Sequence, residues 1–200
     1  MNRFDIVIWG ASSFTGKLVT EYFFKNFASN KIKWAIAGRN KSKLENIRLE
    51  VADEKIPILV ADSFDEKSLS LIVKETRVIC STVGPYALYG SLLVELCVKH
   101  STNYCDITGE AHWIRTLIDN FHEEAKSKKI KIVNSCGFDS IPSDMGVYFI
   151  QKKIKKLYKS YAKSIKMRVT GIRGGISGGT YASINNLLKE AYADKNVFKV

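Results

Sequence analysis

The 200-residue sequence predicts an α/β fold, in which a doubly wound parallel sheet is followed by the start of a second α+β domain. Two observations predict it. Short apolar runs alternate with helix-forming segments along the first 135 residues, as expected of parallel strands that helices cover on both faces. The first run, "FDIVIW", passes directly into the glycine-bearing turn "GASSFTG" and then into a helical segment. This arrangement is typical of the Rossmann type, in which ligands bind beyond the carboxyl ends of the strands.

The elements of the first part follow one another regularly. Apolar runs bounded by glycine, proline and polar residues indicate strands, and segments with helical periodicity indicate helices. Strands are predicted at 4–9, 33–38, 56–62, 77–84, 103–107 and 130–135, and helices at 15–28, 41–52, 65–75, 88–100 and 110–128.

The pattern changes after this part. "CGFDSIPSD" (136–144) is too rich in glycine, proline and aspartate for a regular element, and a helix is predicted at 144–157. "SIKMRVTGI" (164–172) alternates like a strand of a different, half-exposed sheet. A second helix is predicted at 181–193, after the glycine-rich "RGGISGGT".

This change divides the chain into a nucleotide-binding domain, 1–142, and an incomplete second domain, 143–200. Because the second domain has barely begun at Val200, we expect a fragment or a shortened protein. No secretory leader precedes the first strand, and no apolar run approaches the roughly 18 residues that span a bilayer. We expect a cytoplasmic protein, and we leave peripheral membrane contact and a homodimer open.

The net charge of +11 requires that nucleic-acid binding be considered. The excess lysines cluster at 126–131 and 152–166, and stacking aromatics are not interleaved with them across a binding face. Solvated helix ends and loops explain these lysines better, so we predict no nucleic-acid partner. A basic surface also attracts phosphorylated cofactors and anionic lipid head groups.

The four cysteines, Cys80, Cys97, Cys105 and Cys136, lie in or beside apolar runs, and none belongs to a CxxC pair. This is typical of reduced core thiols rather than of a metal site or a disulfide framework. The three histidines lie on predicted helices without the spacing of metal ligands. We therefore predict no metal.

The turn "GASSFTG" predicts a pyrophosphate site, because backbone N–H groups at the start of a helix bind a pyrophosphate well. Gly10 allows the tight turn and Gly16 allows close packing of helix on strand, whereas Ser13 stands where a middle glycine is expected. A serine there must fit beside the phosphate, where its hydroxyl would add a hydrogen bond. An ordinary tight strand–helix turn is the alternative explanation.

The end of the second strand predicts which nucleotide binds. An NAD site has an acidic residue in this neighbourhood for the ribose 2′-hydroxyl, whereas this chain has "AGRNKSK". No carboxylate repels a 2′-phosphate, and Arg39 can meet one with its planar fork. We therefore predict NADP(H) rather than NAD(H). The alternative is that Arg39 only begins a surface helix.

Further cofactor contacts are predicted from the topology. Asp62, after the third strand, is placed near the adenine, and "TVGPY" (82–86), after the fourth, is placed near the nicotinamide ribose. The predicted cofactor-binding residues are Gly10, Ser12, Ser13, Phe14, Thr15, Gly16, Arg39, Lys43, Asp62, Val83, Gly84 and Pro85.

Six motifs occur in the order "GASSFTG", "AGRNKSKL", "STVGPYALYG", "YCDITGE", "CGFDSIPSD" and "GGISGGT". With them the chain resembles the saccharopine dehydrogenase-like oxidoreductases, a family that includes the trans-acting enoyl reductases of glycolipid synthesis. The resemblance covers nearly all of residues 4–190. The family usually has glycine at the position of Ser13, and its members are considerably longer, with a completed second domain.

The resemblance implies NADP(H)-dependent hydride transfer, with family substrates that range from saccharopine to unsaturated acyl lipids. Because "CGFDSIPSD" lacks the arginines that a multiply charged amino-acid substrate favours, we favour an unsaturated lipid-linked substrate, and another carbonyl, imine or enoyl substrate stays open. A function of another class stays open, namely a non-catalytic nucleotide-binding protein without a complete substrate domain.

Hydride transfer needs a proton donor from the protein, and candidates follow the strand ends. Tyr86 and Asp139 are two candidates, and Tyr148 is a third. Tyr148 and Lys152 fit YxxxK, with Ser135 at a strand end before them, which imitates the catalytic set of short-chain dehydrogenases. This alternative, a short-chain-type reductase, is the weaker one because Lys152 only begins a lysine-rich run.

Overall fold

The computed structural model describes residues 3–27, 31–51, 55–171, 173–175 and 177–193, and within them six strands and eight helices form. The strands are β1 (Phe4–Trp9), β2 (Trp34–Gly38), β3 (Ile58–Val60), β4 (Thr76–Ser81), β5 (Asn103–Asp106) and β6 (Ile132–Val133). The helices are α1 (Phe14–Phe27), α2 (Lys41–Glu50), α3 (Glu66–Lys74), α4 (Tyr86–Tyr89), α5 (Ser91–Lys99), α6 (Ala111–Ser127), α7 (Ile141–Tyr158) and α8 (Gly178–Ala193).

The six strands form one parallel sheet in the order β3-β2-β1-β4-β5-β6. β1 lies at the centre, where Ile6 is in register with Trp34 of β2 and with Val78 of β4. The chain therefore winds outwards to β3, returns to the centre and winds outwards on the other side. This reversal leaves a crevice beyond the carboxyl ends of β1 and β4, where doubly wound folds bind ligands. The predicted fold class is confirmed.

Helices cover both faces of the sheet, and a separate core is buried on each. Successive residues of β1 point to opposite faces. Val7 therefore packs with Leu69 of α3 and Val94 of α5, whereas Ile8 packs with Leu44 of α2. These five side chains are completely buried, and each such burial stabilises the fold by about 1.5–3 kcal/mol relative to exposure.

Each predicted strand of the sheet is present, and the differences concern the element ends. β3 and β6 are shorter than predicted, and both lie at an edge of the sheet, where each strand has one neighbour to pair with. The helix predicted at 88–100 is two helices, α4 and α5, which meet at Gly90. A Cβ on Gly90 would lie 2.6 Å from the Trp113 ring, so the close approach of α6 requires glycine there.

Residues 136–193 contain α7 and α8, and neither helix has a buried residue. The strand predicted at 164–172 is wrong for 164–171, which form no strand, and residue 172 lies outside the described residues. Alternation alone predicted it, but a strand also needs a partner for its backbone groups, and no described strand pairs with this segment. The domain division at 142 stays a prediction, and it falls in the first turn of α7. No described helix is both long and apolar enough to cross a membrane.

Candidate functional site

The turn between β1 and α1 has the geometry of a phosphate-binding turn. Gly10 has a φ of 84°, in the left-handed region, and a Cβ there would also overlap the Val83 side chain. A Cβ on Gly16 would overlap the Gly10 carbonyl oxygen, so α1 approaches the strand as closely as predicted. In the first turn of α1, the N–H groups of Phe14 and Thr15 have no acceptor within the helix. These donors, at the positive end of the helix, suit a pyrophosphate.

Ser13 has a structural task that its place in the motif did not indicate. Its hydroxyl accepts a hydrogen bond from the Gly16 N–H (3.0 Å), which caps α1, and lies 3.2 Å from the Thr82 hydroxyl oxygen. Thr82 is in turn within hydrogen-bond distance of the Trp9 carbonyl (3.1 Å). The serine therefore connects the start of α1 to the end of β4 through its hydroxyl, a contact that a glycine could not make.

The residues predicted to select the nucleotide lie at the surface beyond β2. Arg39 follows the last residue of β2 and is exposed, and its side chain has no partner among the described residues. The next residue, Asn40, caps α2 by accepting from the Lys43 N–H (3.0 Å), which leaves the exposed Lys43 ammonium on the same turn. Two exposed cations thus lie beyond the end of β2, and their contact with a 2′-phosphate stays a prediction. Asp62, beyond β3, is exposed and accepts from the Phe64 N–H (2.9 Å).

Ser12 lies near Gly38, the last residue of β2. Its hydroxyl oxygen is 3.9 Å from the position that a Cβ on Gly38 would occupy. Gly84 and Pro85 follow β4, and the peptide bond between them is cis. These residues and Val83 lie at one edge of the sheet, beside the β1–α1 turn, as the topology predicts. Their contact with a cofactor stays a prediction.

A buried carboxylate holds the loop after β4. Glu110 is 4% exposed, and its two oxygens accept from the N–H groups of Tyr86 and Ala87, each at 2.8 Å. It therefore caps α4 from the loop after the neighbouring strand β5, with each oxygen engaged by an orphan helix donor. No local signal could have found its task, since its partners lie 24 and 23 residues earlier in the chain.

Tyr86 is buried, and its hydroxyl donates to the Ser81 carbonyl (3.2 Å) while its ring packs on Trp113 (5.6 Å between centroids). Burial raises the pKa of Tyr86 far above its ordinary value. A phenol that is buried and already donating to a carbonyl is poorly suited to giving up a proton. Its place in the structure therefore favours a packing role.

Asp106 links the ends of β5 and β6. One carboxylate oxygen accepts from the N–H groups of Thr108 (3.1 Å) and Ser135 (3.0 Å), and the other accepts from the Asn134 amide (2.7 Å). Burial raises the pKa of Asp106, and these hydrogen bonds oppose the shift. The Ser135 hydroxyl donates to the Thr108 carbonyl (2.8 Å), so this serine belongs to the same linkage.

The short-chain-type set is not brought together at the crevice. Tyr148 is 60% exposed on α7, and the Lys152 ammonium lies 5.8 Å from its ring centre. Both line a surface groove of α7, whereas the Ser135 hydroxyl is engaged in the β5–β6 linkage.

A cavity of about 360 Å³ lies over the crevice, between the strand ends and α8. α8 is held on this side of the molecule, since the Glu190 carboxylate lies 2.7 Å from His112 Nε2 of α6. Asp139 is the exposed carboxylate at the cavity. The lining from the sheet side includes Ser13, Phe14, Thr15, Thr82, Gly84, Ile107 and Glu110, and that from the region of α8 includes Ser177, Thr180, Ser183, Ile184 and Leu187.

Comparison with known proteins gives the family. The profile described as "Saccharopine dehydrogenase NADP binding domain" matches residues 6–133. A lipid droplet localized protein of Caenorhabditis elegans is 34% identical over 202 residues, which cover 98% of this chain and 47% of that protein. A trans-acting enoyl reductase of Mycobacterium tuberculosis is 32% identical over 195 residues, which cover 96% of this chain and 46% of that protein.

A solved structure gives the same fold. The saccharopine dehydrogenase (L-Glu forming) of Saccharomyces cerevisiae superposes with a TM-score of 0.60 at 18% identity, over 78% of this chain and 32% of that chain. The chain spans about half the length of the curated relatives described above.

The sheet order and the glycine turn define a dinucleotide-binding domain of the Rossmann type. The chain belongs to the saccharopine dehydrogenase NADP binding domain family, since the family profile covers well over half of it. Its cofactor is therefore NADP(H), as the sequence predicted. The turn at Gly10 and the cations beyond β2 fit that nucleotide.

Proposed function

We propose that the protein is an NADP(H)-dependent oxidoreductase that transfers a hydride to an unsaturated, lipid-linked substrate. The cavity under α8 carries this proposal, because one continuous space joins the phosphate-binding turn to a chamber of apolar and hydroxyl side chains. The printed name of the mycobacterial relative, an enoyl reductase, supports the reaction class.

The side chains of the chamber support a substrate without several charges. Among the described lining residues there is no lysine or arginine, and both oxygens of Glu110 are already engaged. A multiply charged amino-acid adduct would be left without compensating cations in this space. Ile184 and Leu187 instead offer an apolar wall against which an acyl chain can pack, and the hydroxyls of Thr180 and Ser183 can donate to a carbonyl.

Asp139 is favoured as the residue that supplies the proton. When bound, NADPH supplies a hydride to one carbon of the substrate's double bond, and the other carbon then needs a proton. Asp139 lines the cavity, is open to solvent, and has no side-chain partner among the described residues. It can therefore pass a proton from water to the chamber. Tyr86 and Tyr148 are less suited, because the first donates to a carbonyl and the second lies outside the cavity.

Two partner predictions belong to this proposal. Peripheral contact with a lipid surface is supported by the printed name of the nematode relative, a lipid droplet localized protein. A homodimer stays a prediction.

The proposal is tested by following NADPH consumption by the purified chain with a long-chain trans-2-enoyl thioester, and NADP⁺ reduction with saccharopine as the matched control. We expect turnover of the enoyl substrate alone. Asp139→Asn should slow it by about a hundredfold with unchanged NADPH affinity. Asp144→Asn, which changes a carboxylate of α7 that does not line the cavity, should leave the rate unchanged.

Turnover of saccharopine without turnover of the enoyl thioester would contradict the lipid-linked substrate. NADPH binding without turnover of either compound would instead favour the non-catalytic nucleotide-binding protein.

A further inference from the structure

A strongly basic region lies outside the cavity. Residues 145–175 contain seven lysines and two arginines but no aspartate or glutamate, so they hold most of the charge behind the net +11 of the chain. In the part of the chain that the structure describes, none of these cations forms an ion pair with a carboxylate. Within the described ranges, this charge is therefore not compensated by carboxylates.

The chain folds back after α7 and forms a groove of about 640 Å³ there. Lys159, the residue after the end of α7, adopts a left-handed conformation with a φ of 54°. Gln151 fixes the returning chain, because its amide donates to the Ala162 carbonyl (3.0 Å) and accepts from the Ala162 N–H (2.9 Å). Tyr161 is thereby held beside Lys155, whose ammonium donates to the Tyr161 hydroxyl (2.6 Å). The groove is thus shaped by specific bonds of the chain.

Four ammonium groups and two aromatic rings surround this groove. Its lysines are Lys152, Lys155, Lys156 and Lys159. The ammonium of Lys155 lies 4.6 Å from the ring centre of Tyr161, which lines the other side. Like charges that share one groove repel each other unless an anion lies between them, so the groove favours a ligand that carries several negative charges.

Apolar side chains stand beside these lysines and are open to solvent. Phe149 is 62% exposed and Leu157 is 63% exposed. On α7 they lie four residues before and four residues after Lys153, so the three side chains share one side of the helix. Tyr158, at the end of the helix, is 74% exposed. Several large, exposed apolar side chains on one helix favour contact with something less polar than water.

We propose that the groove of α7 binds the phosphate head groups of an anionic lipid surface, with the helix lying along that surface. Lysines at the head groups together with aromatic and aliphatic side chains at the acyl boundary are the composition of an interfacial helix. A nucleic acid would satisfy the lysines but would leave Phe149 and Leu157 against a charged backbone. An anionic lipid surface satisfies both kinds of side chain.

The test is co-sedimentation of the full chain with phosphatidylcholine vesicles, alone or with roughly a quarter phosphatidylserine. We expect binding to the anionic vesicles only, and weaker binding as salt is added. The variant Lys152→Gln/Lys155→Gln/Lys156→Gln should lower the partition coefficient by about a hundredfold, and Phe149→Gln/Leu157→Gln should lower it by about tenfold or more. NADPH binding should be unchanged in both variants, which shows that they are folded.

The matched control is Lys25→Gln/Lys31→Gln/Lys33→Gln, which removes the same charge from exposed positions near the end of α1 and before β2 and should bind as the parent does. Equal loss in the control would overturn the proposal, since net charge alone would then explain binding. It would also be overturned by equal binding to vesicles of phosphatidylcholine alone, or by tighter binding to a single-stranded oligonucleotide than to the anionic vesicles.

Discussion

The sheet-containing part of the chain, residues 3–135, and the part after it, residues 136–193, are both rich in helices but differ in burial. In the described structure the last buried side chain along the sequence is that of Ala125, whereas α7 and α8 bury none. In the first part, a substitution at a buried position disturbs the packing of the core. In the second part, a substitution changes an exposed surface. The same change of residue should therefore have opposite effects on stability in the two parts.

The largest expected difference comes from two glycines. Gly16→Ala places a Cβ against the Gly10 carbonyl oxygen and should lower the free energy of unfolding by about 3 kcal/mol. Gly146→Ala adds a Cβ with no neighbour within 4 Å in α7, and should raise helix stability by up to about 1 kcal/mol. Urea unfolding of the two variants measures both effects. Similar losses of stability in the two variants would contradict the difference in burial between the two parts.

A smaller effect is expected where the first part meets the cavity. Glu110→Gln replaces one of two acceptor oxygens by an amide donor that faces a backbone N–H, and should cost about 2 kcal/mol. It should also weaken NADPH binding, because the loop after β4 loses its anchor. Glu123→Gln, at a side chain that is 83% exposed, is the control and should be neutral in thermal unfolding. An equally neutral result for Glu110→Gln would show that the carboxylate does not hold α4.

The pH dependence of stability should report the buried carboxylate of the first part. Because burial raises the pKa of Asp106, its ionised form is less favourable in the folded than in the unfolded chain. This cost is present above the folded pKa and disappears as the pH falls towards the ordinary carboxyl range. The parent should therefore gain stability relative to Asp106→Asn as the pH is lowered from neutral. A stability difference that does not change with pH, in urea unfolding of both proteins, would contradict this assignment.

The smallest effect should be confined to the second part. His112 joins α6 to α8 through Glu190, and His112→Ala should release α8 while the sheet keeps its stability. Amide hydrogen exchange within α8 should become about tenfold faster, with β1 and β4 unchanged. His122→Ala, at a side chain that is 61% exposed, should change neither region. Faster exchange throughout the sheet would show that the two parts unfold together.

The two parts also differ in how far the sequence predicts them. β1 occupies the predicted residues, Phe4–Trp9, because a short apolar run flanked by turn residues is sufficient to indicate a buried parallel strand. The segment 164–171 has a strand-like alternation, but no described strand pairs with it. A local sequence pattern does not show whether a strand will find a partner strand. The linkages made by Ser13 and Glu110 have no local signal for the same reason, since the elements that they link are distant in sequence.

The positions predicted at the candidate site followed from topology. Arg39 and the turn at Gly10 lie at strand ends that the sheet order brings to one edge, as any parallel sheet of this order requires. The cavity was not predicted, because it needs α8 to lie over that edge, and the contact of Glu190 with His112 has no sequence signature.

The most direct test of the account is a titration of the purified chain with NADPH and with NADH, followed by nicotinamide fluorescence. NADPH should bind more tightly. Arg39→Ala should weaken NADPH binding by roughly ten- to a hundredfold and leave NADH binding unchanged, because the 2′-phosphate alone loses its partner. Arg77→Ala, an exposed arginine of β4, is the control and should alter neither affinity. Equal affinity for the two nucleotides, or an equal loss of both in Arg39→Ala, would contradict the site described for the cofactor.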